Sequence, residues 1–106
     1  MTNDQLRVLM VVRFWRGKVF EANLDVDERV VRWFAVFCLR HEVMEIGASF
    51  QDIAELADTS VEDVSETIST LLTAKFLVSD TPGEYALAYF EPAFDVPLKK
   101  ELILYA

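Results

Sequence analysis

The sequence predicts an α+β domain that is mainly helical and carries a β-hairpin after its last well-formed helix. Three observations lead there. Apolar residues recur three and four apart through four successive stretches, which is the spacing of helices with one buried face. Asp58-Thr59-Ser60 breaks that spacing so briefly that the helices on either side must cross at a steep angle. Thr81-Pro82-Gly83-Glu84 then separates two short apolar runs, 76–78 and 85–87, as a turn separates paired strands.

Composition sets the limits. A chain of 106 residues fits one domain, and 53% hydrophobic with 12% aromatic residues supplies a core for it. The net charge of -8 works against general affinity for DNA, RNA or anionic lipid. That charge is uneven, since residues 1–48 carry seven acids and seven bases and the whole excess follows residue 48. Cys38 is the one cysteine, which rules out an internal disulfide framework and a Cys-rich zinc site and implies a reducing, cytoplasmic setting. No signal peptide or membrane span of about 20 apolar residues is expected.

The elements follow in order. Residues 4–16 repeat Leu6, Leu9, Met10, Arg13 and Phe14 at helical spacing, thickened by Val8, Val11 and Val12. Asn3 or Asp4 is the expected cap and Gly17 the expected end, although the valine content makes a strand the rival reading. After a connector, residues 27–44 form the strongest helix, with Asp25 or Asp27 as cap. Its middle is apolar on nearly every face, so it should be covered on more than one side, including His41 in the core or in a subunit interface. Ser49 with Asp52 opens a third helix whose buried side is Phe50, Ile53, Ala54, Leu56 and Ala57. Thr59 and Glu62 have capping-box spacing before a fourth, with the stripe Val61, Val64, Ile68, Leu71 and Leu72, ending near Ala74. Pro92 and Pro97 divide the C-terminal stretch, in which residues 98–105 suit a short helix or an edge strand.

Asp52-Ile53-Ala54, then Val61, Val64, Ile68 and Leu71, and finally Phe76-Leu77-Val78 resemble the pattern of winged-helix domains, helix-turn-helix units followed by a β-hairpin wing. The resemblance implies a winged helix-turn-helix core over residues 27–89 within a single domain of residues 1–106. Residues 1–26 would be an N-terminal helical extension and residues 90–106 a C-terminal strap. Such domains include DNA-binding regulators and purely protein-binding modules, so the fold alone does not choose between them.

Charge does choose. A groove-reading helix presents basic and amide side chains to bases and phosphates. The corresponding helix here presents Glu62, Asp63, Glu66, Ser69, Thr70 and Thr73, all but Ser69 being expected partner contacts, with no basic residue between Val61 and Ala74, and the hairpin turn adds Asp80 and Glu84. Those carboxylates disfavour direct DNA binding; they are either a plainly solvated helix and turn face or a docking surface for a basic or nucleic-acid-binding protein partner. The expected function is that of a non-enzymatic adaptor or inhibitor acting on a nucleic-acid-handling protein, and the alternative is a sequence-specific DNA-binding transcriptional regulator. Arg7, Arg13, Arg16 and Lys18, with Arg32 on the next helix, form a second surface for self-association as a homodimer or for a partner.

No catalytic, cofactor or metal site is expected. His41 is the one histidine, and Cys38, three residues before it, sits among aromatic neighbours as a buried thiol. Gly17, Gly47 and Gly83 are isolated and form no phosphate-binding loop.

Overall fold

A computed structural model describes residues 2–88. Within them lie four helices, α1 (Asn3–Glu21), α2 (Glu28–His41), α3 (Phe50–Ala57) and α4 (Val61–Thr73), and three strands, β1 (Glu45–Gly47), β2 (Leu77–Val78) and β3 (Glu84–Leu87). The strands form one antiparallel sheet in the order β1-β3-β2. Ile46 lies opposite Tyr85 in one pairing, and Leu77 opposite Leu87 in the other. The expected strap over residues 90–106, with its helix-or-strand alternative, lies outside the described residues.

The N-terminal segment is a helix, and it is longer than its sequence suggests. Thr2 caps it in place of Asn3 or Asp4: Thr2 Oγ1 accepts from the Gln5 amide at 3.1 Å while Gln5 Oε1 accepts from the Thr2 amide at 2.8 Å. Gly17 does not end it. A Cβ at Gly17 would meet nothing within 4 Å, and Val19 beyond it continues the buried stripe Val8, Val12, Trp15, Val19. Leu6, Met10 and Phe14, expected on the apolar face, are exposed on the opposite side. The reason is Trp15, whose ring is buried and whose Nε1–H donates to the Phe76 carbonyl at 2.6 Å, which fixes the rotation of α1.

The second helix is central, packing against α1, α3 and β1. Asp27 caps it by accepting from the Arg29 amide at 2.9 Å. The helix stops at His41, earlier than expected, because Glu42 takes a left-handed conformation with φ 56. Met44 is therefore off the helix. Its side chain is buried and its carbonyl accepts from the Leu87 amide at 2.9 Å, leading the chain into β1. His41 is exposed rather than in the core, its ring 4.4 Å from that of Phe37.

Tyr85 locks sheet to helices from β3. Its ring meets Phe34 of α2 edge-on at 6.3 Å and stacks with Phe50 of α3 at 6.5 Å. Ser49 caps α3 as its sequence indicates, accepting from the Asp52 amide at 3.1 Å. Leu56 and Val61 are exposed, against expectation, while Val64, Thr67, Ile68 and Leu71 hold α4 to the core. The turn before β3 closes through the Glu84 amide onto the Thr81 carbonyl at 3.0 Å. Gly83, with φ +83, supplies the left-handed residue this turn needs.

Candidate functional site

The orientation of α4 is set at its first turn. Ser60 is the cap, accepting from the Asp63 amide at 3.1 Å, so the expected Thr59–Glu62 capping box does not form. Thr59 is occupied elsewhere. Its hydroxyl lies 2.7 Å from Asp27 Oδ2 and 3.1 Å from Asp63 Oδ2, and it accepts from Arg29 Nη2 at 3.2 Å.

Arg29 completes a clamp between the start of α2 and the α3–α4 turn. It grips Asp27 through Nε at 3.2 Å and Nη2 at 3.1 Å, and donates from Nη1 to the Asp58 carbonyl at 2.9 Å. The Arg29 hydrogen bonds hold the Asp27 carboxyl down at about 2, with Thr59 adding to the effect and partial burial opposing it. The same contacts raise Arg29. Behind the clamp, the Asp27 amide donates to the buried Thr67 hydroxyl at 2.9 Å. None of this is visible as a motif, because the six residues are spread along the chain and only the fold assembles them.

With α4 so oriented, Glu62, Glu66, Ser69 and Thr73 form one exposed row at i, i+4, i+7 and i+11. The five expected site residues thus divide. Glu62, Glu66 and Thr73 face outward; Asp63 is half-buried against Thr59, and Thr70 is half-buried on the flank. Ser69 joins the row. Asp80 in the hairpin turn and Glu84 at the start of β3 are also exposed. Carboxylates at Glu62 and Asp63 favour the positive end of the α4 dipole, so the row is compatible with a stable helix. Its chemistry is that of a rigid acceptor surface able to receive lysine or arginine side chains.

The basic residues do not form one patch. Arg7 pairs with Asp4 at 3.5 Å and Lys18 with Glu21 at 3.4 Å along α1, and the Lys18 ammonium also lies 5.3 Å from the Phe14 ring centre. Arg13 and Arg16 line an open cavity of about 690 Å³ with Gly17, Val19, Phe20, Glu28 and Val31. Arg32 lies in a separate groove between α2 and α3.

Cys38 is fully buried, and desolvation pushes its thiol up to about 12, which removes the thiolate that a nucleophile requires. No group of three or more His, Cys, Asp or Glu side chains able to hold a metal ion occurs among the described residues. No helix among them is long and apolar enough to cross a membrane. Comparison of the chain with protein-family models, with curated proteins and with solved structures finds no match.

Proposed function

We propose that residues 28–87 are a winged-helix module that works through protein contact, with α4 as its docking helix, as an adaptor or inhibitor of a nucleic-acid-handling protein. The element order helix, strand, helix, helix, strand, strand and the sheet order β1-β3-β2 support the winged-helix reading. The observation that carries the function is the exposed α4 row of Glu62, Glu66, Ser69 and Thr73, on a helix without a basic residue. A duplex is bound by exchanging condensed cations for protein cations, and this row offers carboxylates in their place. A basic protein surface gains from the same charges through steering and charge-assisted hydrogen bonds.

Self-association as a homodimer belongs to the same reading. Leu6 and Met10, exposed at 46% and 63% on the outer side of α1, provide an apolar face for a second copy.

The test uses the full chain as bait in cells that encode it, alongside Glu62→Lys/Glu66→Lys. The expected result is a specific protein partner retained by the natural sequence and lost by the variant. Retention of every partner by the variant overturns the α4 assignment.

A further inference from the structure

We infer that the groove between α2 and α3 is a second docking site, opposite in charge to the α4 face, and that its occupant is an acidic amphipathic helix of a partner protein. The groove is a shallow concavity of about 290 Å³ lined by Arg29, Arg32, Trp33, Val36, Leu56, Ala57 and Asp58. Its walls are apolar and open, with Leu56 exposed at 66% and Val36 at 43%. Trp33 forms a half-buried aromatic floor, its ring 5.1 Å from Phe34 and 5.2 Å from Phe37.

Charge identifies the occupant. Arg32, Val36 and Arg40 make one i, i+4, i+8 row along α2, so an apolar residue lies midway between two arginines whose backbone positions are about 12 Å apart along the helix, with Arg32 and Val36 in the groove's lining and Arg40 one turn beyond it. Both arginines are exposed, and neither side chain has a hydrogen-bond or ion-pair partner among the described residues. Arg29 differs, since Asp27, Asp58 and Thr59 already engage it. The complement of this row is a helix bearing two carboxylates about eight residues apart, with an apolar residue midway that enters beside Leu56.

A nucleic-acid strand fits less well, because a phosphate backbone spreads its charge continuously where a helix places two carboxylates over two arginines. The groove shares no residue with the α4 row, so the inference stands independently of the α4 assignment. Together the two faces would let one small domain bridge a basic and an acidic protein.

The test is titration of the full chain with a lactam-constrained helical peptide carrying the pattern Glu-x-x-x-Leu-x-x-x-Glu, followed by amide chemical shifts, with the Lys-x-x-x-Leu-x-x-x-Lys peptide as control. The Glu peptide is expected to bind saturably, shifting amides of α2 and α3. Affinity should fall about tenfold in Arg32→Glu/Arg40→Glu as two exposed charge pairs become repulsive, and the Lys peptide should recover it in that variant. Leu56→Asp should also lose binding while keeping the melting temperature, because the side chain is largely exposed. Glu62→Lys/Glu66→Lys should bind the Glu peptide as before, which separates this site from the α4 face. Four results would overturn the inference: equal binding of the two peptides by the natural sequence, no effect of the substitutions, equal shifts from oligo-dT, or peptide-free self-association abolished by Arg32→Glu/Arg40→Glu. The last would assign the groove to a second copy of the chain.

Discussion

Asp27 is the residue on which local order converges, since it caps α2, pairs with Arg29 and meets Thr59 and Thr67. Its carboxyl lies at about 2 in the fold against an ordinary 3.8, so the sign of its pH dependence is fixed. The contribution is present in full above about pH 4 and disappears as pH falls toward about 2. Acid unfolding of Asp27→Asn should therefore be shallower than that of the natural sequence over that window, and its stability at neutral pH lower, both readable by circular dichroism. Trp15 makes a second prediction. Trp15→Phe removes the donor to the buried Phe76 carbonyl, which keeps only the Ala88 amide at 2.9 Å, and leaves space where the indole was. A loss of about 1–3 kcal/mol in denaturant unfolding is expected. Cys38 makes a third: with its thiol buried and at about 12, it should resist thiol reagents in the folded chain and react on unfolding.

At the scale of elements, helices were legible wherever apolar spacing and a local cap agreed. Ser49 with Asp52 located the start of α3, and Asp27 was one of two residues expected to cap α2. The errors have identifiable causes. Two faces of α1 are apolar, one through Val8, Val12 and Val19 and one through Leu6, Met10 and Phe14, and core packing of the first face together with the Trp15–Phe76 hydrogen bond distinguishes them. β1 escaped notice because three residues with one buried side chain carry no alternating pattern; it is a strand because β3 pairs with it. The division of the acidic site combines a local contact with a distant one, since Thr59 holds Asp63 inward from four residues away while its hydroxyl also meets Asp27 at the start of α2. The outer face of α1 carries its own prediction. Met10→Asp should lower the solution mass of the chain from dimer to monomer in sedimentation equilibrium without changing its melting temperature, because that side chain is 63% exposed. A monomeric natural sequence contradicts the self-association proposal.

Over the whole molecule the net charge of -8 and the outward α4 row act in the same direction, and the charge was readable from composition before any coordinate. What composition could not supply was the rotation of α4, which determines that Glu62 and Glu66 stand outward together while Asp63 turns toward the α2 clamp. The architecture is compatible with two opposite uses, groove reading and protein contact, and the proposed function rests on the charge of the presented face to choose between them. The most direct measurement is a binding selection of the full chain against a randomised duplex DNA library at physiological salt, followed by fluorescence anisotropy on the enriched pool. The proposed function predicts no enriched sequence and no saturable binding beyond the weak non-specific range, roughly 10⁻⁴–10⁻⁶ M. Enrichment of a defined sequence bound at about 10⁻⁸ M or tighter would contradict it and make α4 a reader of DNA.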